Sequence, residues 1–111
     1  MKLFGVCLAT HNVETMVGFY TKVFGYPPVV DGPDHRFLDA QLIVFALDEA
    51  ERASATRAGM IYLVGDVDAE YTRLHALGIA HDPPTDKPWG VRSFVIRDPD
   101  GNTVSFFAER R

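Results

Sequence analysis

Four histidines, one cysteine and a Trp–Arg pair are the side chains of this 111-residue chain best suited to chemistry. Histidines hold divalent cations, and a metal centre normally takes three or more nitrogen, sulfur or carboxylate donors at about 2 Å. His11, His35, His75 and His81 show no such grouping: no two stand at i and i+4, and no two share a predicted face. Each reads as a surface histidine. Cys7 is the one thiol, so no internal disulfide is available, and no histidine adjoins it. It reads as an inert, buried, small apolar residue of a strand. Trp89 and Arg92 follow Pro88 at a predicted strand mouth, where an indole stacks a planar ligand and a guanidinium pairs with a carboxylate or phosphate. Rim packing and a neighbouring carboxylate would account for the same pair. No phosphate-cradling Gly-rich loop, nucleophile elbow or paired-acid arrangement is present.

Positioning these groups falls to elements that occur twice. Val13, Val17, Tyr20, Val23 and Phe24 recur at helical spacing, with Asn12 to cap the start and Gly25 to end it. Val67, Tyr71, Leu74 and Leu77 repeat the stripe between Asp66 and Gly78, each position 54 residues on (13 to 67, 17 to 71, 20 to 74, 23 to 77). Tyr20 and Tyr71 are therefore expected in core packing, and Asp66 and Asp68 as cap and dipole partners. A strand precedes each helix, Lys2 to Ala9 and Gly59 to Val64, and a Pro-rich break follows each. Extended runs then come at 29–30, 35–38 and 41–47, and again at 91–96 and 103–108. Asp98-Pro99-Asp100-Gly101-Asn102 is a hairpin turn joining the last two. The pattern predicts an α+β domain made of two βαβββ modules, about 1–48 and 59–111, joined by a polar linker at 48–58.

Composition narrows the partners. A net charge of -4 with scattered basic residues argues against nucleic acid. No apolar run approaches the roughly 20 residues that cross a bilayer, and the N-terminal stretch lacks a small-residue cleavage pattern. A cytoplasmic protein without membrane partners is expected.

Asn12-Val13-Glu14 leading into Phe19-Tyr20 and Phe24-Gly25, then Asp66-Val67-Asp68-Ala69, Leu77-Gly78, Pro88-Trp89-Gly90-Val91-Arg92 and Asp98-Pro99-Asp100-Gly101-Asn102 form an ordered set. In it the chain resembles the vicinal oxygen chelate superfamily, which includes glyoxalase I, bleomycin-resistance proteins and extradiol dioxygenases. The resemblance spans nearly the whole chain; Phe24 stands where the family usually has Leu. It implies a cup of curved sheet with helices on the outer face, and a homodimer. In metal-using members, donors come from the first and fourth strands of each module. The matching positions here are Gly5, Gly59, Ser105 and one residue within Leu42 to Leu47, and none of these supplies a nitrogen or carboxylate. No metal and no cofactor are expected.

Alternation along the strands puts Leu3, Gly5 and Cys7 on one face, with Gly59, Ile61 and Leu63, and Thr103, Ser105 and Phe107, as their counterparts. Those nine residues, with Trp89 and Arg92 at the mouth, are the expected ligand-binding set. Their apolar character with a few small polar groups suits a cavity for a small molecule. Metal-independent binding of a small, mainly apolar or aromatic molecule is the expected function, with sequestration as one form of it. Two alternatives stay open: a metal-dependent lyase or dioxygenase using unexpected ligands such as His11, His35 or residues of a partner subunit, and an interaction module whose cup is filled by its own side chains.

Overall fold

The computed structural model describes residues 1, 5–46 and 59–110. The expected linker at 48–58 and the candidate residue Leu3 lie outside the described residues. The chain divides into two compact units, 1–56 and 57–111.

The first unit runs β1 (Val6–Thr10), α1 (Val13–Phe24), β2 (Val29–Asp31), β3 (Asp34–Phe37) and β4 (Leu42–Ala46). Its sheet has the order β1-β4-β3-β2, with β1 and β4 parallel and the other pairs antiparallel. Asn12 caps α1, accepting from the Thr15 amide at 3.2 Å, and Gly25 ends it at φ 82°, a left-handed turn that glycine adopts without strain. The buried stripe is Met16, Tyr20 and Val23. Tyr20 and Phe24 stack on each other and meet Phe37 of β3 at 6.3 and 5.2 Å between ring centroids. Leu8 of β1 and Leu42 and Val44 of β4 are buried as well.

The second unit repeats the order: β5 (Gly59–Leu63), α2 (Val67–Ala76), β6 (Thr85–Asp86), β7 (Val91–Arg97) and β8 (Thr103–Glu109). Its sheet order, β5-β8-β7-β6 with β5 and β8 parallel, matches the first. Asp66 caps α2 through the Ala69 amide at 3.1 Å. Val67 and Leu74 are buried; Tyr71 meets Phe94 edge-on, and Phe94 stacks on Phe106, which stacks on Tyr62. The buried Asp98 carboxylate organises the β7–β8 turn, accepting from the amides of Asp100 and Asn102 and from Asn102 Nδ2 at 2.8–2.9 Å. Three charge-assisted bonds on one acid explain why it tolerates burial. The α+β architecture of two βαβββ modules is thus the observed one, with each helix against one face of its own sheet.

The short strand β6 has only two residues, too few to carry a period, and was not among the expected runs. Among the described residues, no helix is long and apolar enough to cross a membrane.

Candidate functional site

The face of each sheet turned away from its helix is where the candidate residues gather. In the second unit the register stacks them in cross-strand rows. Leu63 stands beside Phe107, then Ser93, then Thr85; Ile61 stands beside Ser105, then Val95; Gly59 stands beside Thr103, then Arg97. Side chains on neighbouring strands of one row are in contact range. The alternate residues Met60, Phe94, Ile96, Val104 and Phe106 are buried on the helix side. Their neighbours are not: Ile61 is 73% exposed, Leu63 67% and Val95 50%. So Gly59, Ile61, Leu63, Thr103, Ser105 and Phe107 share one open, largely apolar face. Ser93, Val95 and Thr85 also belong to it, and they were missed because only the pairing of β7 with β8 and β6 reveals their side.

In the first unit Cys7 stands beside Ile43, then Arg36, then Val29. Cys7 is exposed, which corrects the expectation of a buried thiol: β1 is an edge strand, and this face carries no helix. Arg36 is held by Asp31 at 3.5 Å and Asp34 at 4.0 Å. Gly5 is explained by its own backbone contacts. A Cβ there would come within 3.2 Å of the Gln41 carbonyl oxygen, which already accepts from the Val6 amide at 2.7 Å. At Gly59 a Cβ would meet only Thr103 Oγ1, at 3.1 Å. Room for a ligand is therefore the weaker reason for glycine at position 5. His35 also departs from its expected surface position: it is half-buried, and its Nδ1 is enclosed without a hydrogen bond among the described residues.

Arg92 does not share the open face. It lies in phase with Phe94 on the helix side, where its guanidinium donates to Asp68 at 3.0–3.2 Å and to Asp86 at 3.2 Å. Hydrogen bonds to Asp68 first, and then to Asp86, hold its pKa above the ordinary arginine value. Arg110 joins the chain of charges at 3.6 Å from Asp86. A shallow cleft of about 380 Å³ at the start of α2 is lined by Asp66, Asp68, Arg92 and Arg110. Its arginines already face carboxylates, so it offers an incoming anion little. Trp89 stands at the tip of the β6–β7 turn, 73% exposed.

The register also completes the four positions at which the resemblance implies metal donors. Ile43 stands beside Cys7 as Ser105 stands beside Ile61, giving the set Gly5, Ile43, Gly59 and Ser105. Two glycines, an isoleucine and a serine hydroxyl do not fit a divalent cation of the kind such folds use. Among the described residues, no three His, Cys, Asp or Glu side chains converge closely enough to hold one.

The sequence profile of the glyoxalase/bleomycin resistance protein/dioxygenase superfamily matches residues 2–106. A glyoxalase/bleomycin resistance protein/dioxygenase from Nocardioides is 26% identical, with a TM-score of 0.80 over 100% of this chain and 85% of that one. A lactoylglutathione lyase from Agrobacterium tumefaciens is also 26% identical, with a TM-score of 0.77 over 96% of this chain and 92% of that one. TnmS3, an antibiotic binding protein from Streptomyces sp. CB03234, shares the fold at 24% identity and a TM-score of 0.76, over 98% and 96% of the two chains. No curated protein matches the sequence.

Proposed function

Because the chain belongs to the glyoxalase/bleomycin resistance protein/dioxygenase superfamily, we propose that it binds a small, mainly apolar or aromatic molecule without a metal ion, on the open face of the second unit's sheet, which carries Gly59, Ile61, Leu63, Thr103, Ser105 and Phe107, with Gly5 and Cys7 on the corresponding face of the first unit's sheet. What carries this reading is the open face of the second sheet, where Ile61 and Leu63 hold most of their surface in water while Met60, one residue before Ile61 on the opposite face, is buried. Aliphatic side chains so placed gain by being covered, and a flat apolar molecule covers them. The donor-poor set Gly5, Ile43, Gly59 and Ser105 supports the absence of a metal requirement. Trp89 belongs to the proposal as a stacking group on a turn, and a homodimer as the assembly. The similarity to a lactoylglutathione lyase supports an enzyme of the same superfamily as the second reading.

The test is a thermal-shift screen of uncharged aromatic compounds, run in EDTA and again with Ni, Zn, Mn or Fe added singly. A compound at a hundred times its Kd adds about 2.7 kcal/mol to stability. The expected result is a set of stabilising compounds whose shifts are equal with and without metal, and which Gly59→Trp abolishes. Binding or turnover that requires an added ion would replace this reading with the lyase or dioxygenase one. A screen in which no compound raises Tm would favour a module that binds no small molecule.

A further inference from the structure

Within the second unit, the open sheet face has a chemical pattern finer than apolar. Its two central rows, Leu63-Phe107-Ser93-Thr85 and Ile61-Ser105-Val95, hold no charged residue. Charge appears only at the ends: Arg97 beyond Val95, and Glu109 beyond Phe107 with Lys87 opposite Val91. Across these rows, Ser105 on β8 and Ser93 on β7 stand diagonally, and Thr85 on β6 stands directly opposite Ser93. Such diagonal neighbours lie about 7–8 Å apart. Among the described residues, none of these three hydroxyls makes a hydrogen bond. The neutral area from β5 to β7 measures about 10 Å across the strands and about 7 Å along them, from a strand spacing of about 4.8 Å and a rise of about 3.4 Å per residue.

We infer that this face selects uncharged aromatic molecules of two or three fused rings bearing oxygen substituents at opposite ends. Ile61, Leu63, Val95 and Phe107 cover the ring system, and the Ser93 and Ser105 hydroxyls bond the oxygens. The inference deepens the binding proposed above and rests on it. A hydroxyl donates or accepts as the ligand requires, so phenols and ring carbonyls both suit it. A sulfonate or carboxylate over the rows would lose its water to an uncharged surface that returns only one hydroxyl bond, which disfavours it.

The test uses three probes on one ring, 2,6-dihydroxynaphthalene, naphthalene and naphthalene-2,6-disulfonate, titrated against the full chain by ligand-observed NMR at pH 7. The diol is expected to bind about tenfold tighter than naphthalene, from two bonds of about 0.5–1.5 kcal/mol each, and the disulfonate more weakly than both. In the Ser93→Ala/Ser105→Ala double variant, the diol should lose that advantage while naphthalene binds as before. Equal binding of the three probes, or an advantage that survives in the double variant, would overturn the selection while leaving aromatic binding intact. Failure of all three to bind would overturn the binding itself.

Discussion

Met60 and Ile61 are consecutive residues of β5 whose replacement should have opposite consequences. Met60 is 6% exposed, on the buried face of β5, whereas Ile61 keeps nearly three quarters of its surface in water. Full burial of an isoleucine side chain is worth about 1.5–3 kcal/mol. A ligand covering the exposed part of Ile61 therefore gains at most about 1–2 kcal/mol from it, and Ile61→Ser should weaken binding about 5- to 30-fold. In the free protein the same change removes little buried contact, so stability should move by no more than about 1 kcal/mol. Met60→Ala leaves a cavity in the core and should cost about 2–5 kcal/mol, which lowers Tm by on the order of 10 °C or more. The two variants are compared by urea denaturation and by titration with whichever compound the screen identifies. If Ile61→Ser destabilised the free protein as much as Met60→Ala, the face would already be covered, and its assignment as a binding surface would be wrong. Unchanged affinity in a stable Ile61→Ser protein would put the ligand elsewhere.

Gly5→Ala should cost about 1–3 kcal/mol by urea midpoint, because its Cβ meets the Gln41 carbonyl at 3.2 Å; Gly59→Ala, facing only a serine-sized hydroxyl group on Thr103, should cost less. Asp98→Ala removes the acceptor of three bonds in the β7–β8 turn and should cost about 3 kcal/mol, with Asp98→Asn recovering part of it. Arg92→Gln should leave aromatic binding unchanged, and its effect on thermal stability should shrink in 1 M salt as the exposed ion pairs are screened. Because the Arg92 pKa is raised, its contribution is fully present below the ordinary arginine value and is lost only as pH climbs past it, so a stability profile between pH 7 and 10 should show no step from this group. Trp89, the single tryptophan, should emit as a solvated indole in the folded protein and shift little on unfolding; blue-shifted emission would mean that something covers it.

Both helices were legible to within a residue, since their stripes and their caps, Asn12 and Asp66, are local features. The succession of strand, helix and strands along the chain followed from the repeat, and strand alternation identified the sides of Ile61, Leu63, Ser105 and Phe107. What alternation could not supply was register. Which of positions 42–47 occupies the donor place on β4 depends on which residue Val6 pairs with, and that is a matter of three-dimensional closure. Ser93, Val95 and Thr85 stayed hidden for the same reason. Arg92 shows a different limit: nothing within its own strand reveals that Asp68, 24 positions earlier on α2, stands ready to pair with it. The exposure of Cys7 follows from its face and strand lying on an uncovered edge, which only the sheet order discloses.

In each sheet the strand made last in sequence is an interior one: β4 lies between β1 and β3, and β8 between β5 and β7. A ribosome therefore delivers the keystone of each module at the end, and the opening strand must wait for it, Val6 for Leu42 and Gly59 for Thr103. A nonsense codon shortly before Thr103 would not trim the second sheet but dismantle it, leaving β5 without any partner and the β7 edge bare.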